Sequence, residues 1–262
     1  MRYLRLYLKF LEMSLKGELE YRFNFLVGFL VEIGWMGALI VFYKVIFLNT
    51  GFLAGWSYGE ALVFLGVVQV FSELFYSIFV IFNLRRLSEY VQKGTLDLYL
   101  LKPVNTQFFV SVSNPYTRGL LTIFLGITLA VLGFRNLHLV PGLDDVLMGT
   151  LLLFCGVLLT YAISFSSLMV VFWTNRAFNA TQIFESLVNT SNYPIDFFHG
   201  AVKIVFTFIM PLAFMTTFPA KALLGQTVWW WLPVAILMAG LSLWASSKLW
   251  QFALKHYSGA SA

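Results

Sequence analysis

Long apolar runs separated by short polar stretches dominate the chain, and the first polar pattern has helical spacing. Arg2, Arg5, Lys9, Glu12 and Lys16 recur at intervals of 3, 4, 3 and 4, a single polar stripe among Tyr3, Leu4, Leu6, Tyr7, Leu8, Phe10, Leu11, Met13 and Leu15. That pattern predicts an amphipathic helix over residues 1–22, lying in a membrane interface with its basic side toward headgroups. Apolar runs at 23–48, 59–83, 106–134 and 146–173 predict four membrane spans, and 228–250 predicts the last. A span needs roughly 20 apolar residues. The third run opens with the polar SVSNPYTRG and is broken by Pro115, so its membrane part is placed at 119–134. Trp229, Trp230 and Trp231 mark an aromatic belt at the start of the last span.

The region between 174 and 227 has two readings. Hydropathy alone puts a fifth span at 202–219. Alternatively, 177–193 is a polar fifth span, with Asn179, Thr181, Gln182, Glu185, Asn189 and Asn192, and 195–225 is a re-entrant hairpin broken by Pro211 and Pro219. Backbone of that kind is tolerated at membrane depth only when packed against protein. Either way the expected class is an all-α polytopic membrane protein with six transmembrane helices in one domain.

Composition agrees: 60% of the 262 residues are hydrophobic and only 11% charged, with a mean hydropathy of +0.81. The net charge of +5 is explained by topology rather than by nucleic acid. With both termini cytoplasmic and the hydropathy topology, only Lys44, Arg135 and Lys221 fall on the outer side; the re-entrant reading moves Lys203 across as well and barely changes the bias that the positive-inside rule requires. A multi-pass protein of the cell inner (plasma) membrane is expected. No short apolar core with a small-residue cleavage site opens the chain.

Catalytic signatures are missing. GxxxxGK[ST], HExxH and GxSxG do not occur, and His138, His199 and His256 lie in separate segments. Cys155 is the single cysteine, which excludes internal disulfides and a cysteine-based metal site. An enzyme is not expected, nor a metal or a cofactor bound by this chain. Two carboxylates stand inside spans, Glu32 and Glu73, and each needs a partner or a wet cavity. Asn24, Gly28, Glu32 and Trp35 share one helix face, and Gln69, Glu73, Tyr76 and Ser77 another. Thr160, Ser164 and Ser167 form a third, small-polar face. Glu32, Gln69, Glu73 and Ser164 are thus candidates for a substrate pathway, for interhelical hydrogen bonding, or for proton coupling.

The stretch 84–105 cannot sit in hydrocarbon. Arg85, Arg86, Glu89, Lys93, Asp97 and Lys102 would each cost about 2.5–3.5 kcal/mol or more there. Leu87, Tyr90 and Val91 alternate with the charges, Gly94 can cap a helix over 84–93, and Leu96–Leu101 can return to the interface before Pro103 turns the chain. From the residues alone this is equally a docking lever or a basic loop held on anionic lipid.

The same stretch resembles the region after the second span in ABC-2-type transporter permeases of about 260 residues. The matching residues are Glu89, then Gly94-Thr95-Leu96-Asp97, then Lys102-Pro103-Val104-Asn105. A second match runs through Tyr193-Pro194, Ile209-Met210-Pro211, Pro219-Ala220 and Leu223-Leu224-Gly225. The resemblance implies a permease subunit of an ATP-driven transporter, paired with a second permease in a homodimer or a paralogous heterodimer. Separate ABC ATPase subunits would bind ATP and Mg. It also implies that Arg85, Arg86, Leu87, Glu89, Tyr90, Gly94 and Asp97 form a coupling helix docking on the ATPase, and it favours the re-entrant hairpin at 195–225. Export of an amphipathic or polar substrate is expected, with membrane lipid as surroundings and no nucleic-acid partner. The alternative is a stand-alone channel or ion-gradient-driven carrier using Glu32 or Glu73.

Overall fold

A computed structural model describes residues 2–174, 185–186 and 188–257. Among the described residues the structure is helical, with one isolated bridge, Leu53 to Trp56. Helix α1 (Arg2–Glu20) meets α2 (Arg22–Thr50) at Tyr21, whose φ of −104° and ψ of 58° break the helix. Helix α3 (Tyr58–Phe75) opens on a capping box in which Ser57 and Glu60 satisfy each other's backbone N–H groups. It continues through a π-helical stretch, Tyr76–Leu84, into α4 (Arg85–Gln92). Leu84 keeps helical angles (φ −61°, ψ −36°), so the docking helix expected as a separate element is the continuation of the second long helix, Tyr58–Gln92.

Short helices α5 (Leu96–Leu100) and α6 (Thr106–Val112) lead to α7 (Thr117–Leu137) and α8 (Leu143–Leu168), which a 3-10 turn extends to Phe172. The third apolar run is therefore two helices, parted at 113–116. Further along the chain come α9 (Gly200–Ile204), α10 (Phe218–Leu223) and α11 (Trp231–Leu254). Five helical stretches are long and apolar enough to cross a membrane. The pair Gly200–Phe208 and Ala213–Leu223, bent by 69°, is a sixth candidate. The chain is an all-α, multi-pass membrane protein. Of the proposed span at 177–193, residues 177–184 and 187 lie outside the described residues.

Helices α3 and α7 approach through glycines seven residues apart. A methyl group added at Gly66 would lie 2.5 Å from the Gly126 carbonyl oxygen, and one at Gly133 would lie 2.6 Å from that of Gly59. Small residues let membrane helices touch backbone to backbone, where packing rather than water drives association. Helix α8 forms the centre. Phe165, Leu152, Leu159 and Leu168 are almost fully buried, and Phe165 meets Trp250 of α11 at 5.4 Å.

The bent segment returns to the end at which it starts. Asp196 accepts from Lys203 Nζ (2.9 Å) and pairs with Lys221 Nζ (2.6 Å), and Trp56 Nε1 lies 3.3 Å from it. One carboxylate thus holds the beginning of the segment, its end, and the loop between α2 and α3. A straight crossing at 202–219 would put Lys203 and Lys221 at opposite ends of the molecule.

Candidate functional site

The site is built where α4 and α5 turn beneath the helices. Leu87 and Leu96 are wholly buried in the cluster that holds Phe75, Phe165 and Trp250. Leu87, expected on a docking surface, is instead the residue that roots α4 in the core. Gly94 takes φ +69°, a left-handed conformation suited to glycine, and reverses the chain between α4 and α5. Tyr90 packs on Tyr99 at 4.7 Å, Tyr99 on Phe109 at 5.5 Å, and Lys102 lies 3.9 Å from the Phe109 ring centre. Arg86 and Glu89 are exposed, Glu89 paired with Lys93 at 2.5 Å. Arg85 is not free for docking: its guanidinium makes a two-pronged pair with Glu185 (3.0 and 2.9 Å). Asp97 is half-buried beside Tyr257, whose hydroxyl pKa is raised by burial and by that carboxylate.

Helix α1 lies against this turn. Tyr3 meets Phe108 at 4.9 Å, Phe10 meets Phe109 at 5.5 Å, and Arg2 donates to the Pro103 carbonyl (2.8 Å). Its side chains sort into three faces. Tyr7, Phe10, Ser14 and Glu18 pack inward, the basic stripe faces out, and Leu4, Leu8, Leu15 and Leu19 form an exposed apolar row. An apolar face beside a basic one is the geometry of a helix lying in a membrane interface.

The π-helical stretch supplies the next layer. Asn83, buried, donates to the carbonyls of Ile78 (2.8 Å) and Asn114 (3.1 Å), and its oxygen accepts from Asn114 N (2.9 Å). Tyr116 N donates to Ser77 O (2.8 Å). The π geometry disturbs the usual hydrogen-bond ladder, and these contacts stitch it to the 113–116 loop. Helix α7 then begins with its orphan amides on Glu18 of α1, which accepts from Thr117 N (2.8 Å) and Arg118 N (2.9 Å). A carboxylate there completes the helix N-terminus and complements its dipole.

Two of the polar faces read from the sequence converge. Glu73 accepts from Gln69 (2.9 Å) and Ser77 (3.3 Å) on its own helix, and fits against Gly119, where an added methyl group would lie 2.6 Å from Oε2. Tyr76 reaches Asn189 at 3.4 Å. Arg118 donates to the Asn24 carbonyl (3.2 Å) and lies alongside Gly28, so it fills the gap between α2 and α7. Half-buried Glu32 lies within electrostatic reach of Glu73, as does Arg118. Ser164 is buried on the packed face of α8, where Thr160 and Ser167 bond back to their own helix carbonyls (2.7 and 2.8 Å).

Glu18, Asn83 and Arg118 were not singled out from the sequence. Glu18 alone left a trace: it falls roughly 200° around the helix from Lys16, on the otherwise apolar side. Among the described residues no cluster of three His, Cys, Asp or Glu side chains could hold a metal.

No curated protein and no solved structure matches the chain. The family model described as "ABC-2 family transporter protein" matches residues 33–261, which takes in every helix from the body of α2 onward. Members are membrane components of transporters that associate with an ABC ATPase and are not themselves catalytic. With a multi-pass helical fold and a match over most of its length, the chain belongs to the ABC-2 transporter family as a permease.

Proposed function

We propose that this chain is the membrane-crossing subunit of an ATP-driven exporter of amphipathic or polar substrates. ATP and Mg bind to separate ATPase subunits. A second permease, identical or paralogous, completes the pathway. Both termini and the α4–α5 turn are cytoplasmic, in the cell inner membrane, where the basic residues of α1 and α4 belong by the positive-inside rule.

One observation carries this reading: α4 continues α3 without a break and is rooted by Leu87 and Leu96. A push on α4 therefore moves a membrane helix as one body, the small rigid-body shift from which transport cycles are built. Arg86, Glu89, Tyr90 and Asp97 form the docking edge, and Gly94 sets the turn between its two arms. Arg85, tied to Glu185, transmits the motion toward the segment after α8.

The test is capture. The tagged permease retains an ATPase on purification, and Glu89→Arg with Asp97→Arg releases it while the permease remains folded. Transport by the permease alone in liposomes, without ATP, would establish the carrier reading through Glu32 or Glu73 instead.

A further inference from the structure

A cavity of about 410 Å³ opens between the end of α1, the start of α2, the junction of the π-helical stretch with α4, and the 113–118 segment. Ser14, Glu18, Phe25, Phe82, Arg86 and Arg118 are among its walls. We infer that this cavity binds the phosphate-bearing headgroup of an anionic membrane lipid.

Three features point there. First, two guanidinium groups from different elements face one space. Arg86 lies over the Phe82 ring at 5.5 Å and Arg118 over the Tyr116 ring at 5.0 Å. A guanidinium carries five N–H donors in a planar fork that suits a phosphate, and Arg118 spends one of its own on the Asn24 carbonyl. Second, Glu18 is the one acid among the residues that line the cavity, and it is already committed. Glu18 spends its two oxygens on the α7 backbone amides, and Glu89, which feels the Arg86 charge, is paired with Lys93. Third, the cavity lies at interface depth. The amphipathic α1 forms one side, where Leu15 and Leu19 of its exposed apolar row adjoin Ser14 and Glu18 in the wall, and exposed Tyr21 lines the cavity itself. That apolar flank gives an acyl chain a track continuous with the headgroup site. A soluble phosphate would use the arginines but not the flank.

The cavity is walled by the permease's own residues, and the test leaves the ATPase out so that the role of Arg86 on the docking edge does not enter it. The full-length protein is placed in nanodiscs of phosphatidylcholine with phosphatidylglycerol, and retained lipid is counted by native mass spectrometry. The protein is expected to retain phosphatidylglycerol over phosphatidylcholine. Loss of one charge-assisted contact, in Arg86→Gln, lowers that retention about tenfold. Arg118→Gln does the same with an unchanged melting temperature in the same nanodiscs, since Arg118 also props α2, and Arg118→Lys, which keeps the charge without the planar fork, recovers only part of the preference. Arg135→Gln, at the other end of α7, changes nothing. Equal retention of the two lipids, or Arg86→Gln behaving as the unaltered protein, overturns the inference. So does displacement of phosphatidylglycerol by an equal concentration of inorganic phosphate, which would make the ligand a soluble anion.

Discussion

Helices α2 and α8 are equally apolar, with mean hydropathies of 2.2 and 2.3 over their most apolar windows, yet 6% of one window is buried and 56% of the other. Hydropathy says that both belong in a membrane. It does not say which is wrapped by protein. The difference lies in the small residues. On α8, Gly149 and Gly156 let the 213–223 backbone approach, and a methyl group at Gly156 would fall 3.1 Å from Met215 Cα. On α2, Gly34 and Gly37 have nothing within 4 Å of where a side chain would start. Within the chain α2 is held by a narrow stripe, Met36 packed with Leu62, Leu65 and Leu129, and by Arg118 beside Gly28. The rest of its surface is free for lipid or for a second permease.

Truncating one side chain on each helix separates the two most. Phe165→Ala empties the centre of α8 and is expected to cost about 3–5 kcal/mol. Leu30→Ala, on the exposed side of α2, is expected to stay within about 0.5 kcal/mol. Thermal unfolding in one detergent measures both. Next comes one substitution made in both helices. Gly156→Leu drives a side chain into the 213–223 backbone and costs about 1–3 kcal/mol or more, while Gly37→Leu is nearly neutral. Equal losses at the two glycines would mean that α2 is packed within its own subunit.

A cysteine in place of exposed Trp35 sharpens the question of what covers α2. If a second permease lies there, oxidation yields a linked species of twice the mass, and buried Cys155 does not compete. If only lipid covers it, the protein stays single. The smallest effect concerns the clasp over the segment that covers α8. Burial pushes the Asp196 carboxyl up, but Lys221 and Lys203 outweigh it and hold it below its ordinary value. Its stabilisation is therefore complete above the usual aspartate range, near about 3.9, and is lost as pH falls through the lower folded value. Asp196→Asn should lower stability by roughly 1 kcal/mol at neutral pH, and melting curves of the two proteins should converge in acid.

The all-helical, multi-spanning class was legible because continuous apolar runs and a 3–4 spaced stripe are local patterns. The family resemblance was legible for the same reason, since Gly94-Thr95-Leu96-Asp97 is one short stretch. Tertiary partners were not. Arg85 reads as an exposed charge until Glu185, 100 residues away, is seen to pair with it. Leu87 reads as a contact for another protein until the core closes over it. The polar faces of Glu32 and Glu73 were visible as spacing, whereas Arg118, beside Gly28 on the Glu32 face, sits in a run whose local pattern marked only the break at Pro115. Continuity of α3 with α4 was hidden as well, because the charges at Arg85 and Arg86 mark a solvent boundary and not a helix end.

That continuity is the feature on which the transport reading depends, and one measurement addresses it directly. In the permease–ATPase complex, two glycines inserted between Leu84 and Arg85 separate α4 from the membrane helix without altering the docking edge. Spin labels on exposed Leu139 of paired permeases, at the far end of α7, report the response to ATP by their separation. The predicted result is that ATP shifts this separation in the intact protein, and that the insertion abolishes the shift while ATP hydrolysis continues. A shift undiminished by the insertion would contradict the lever.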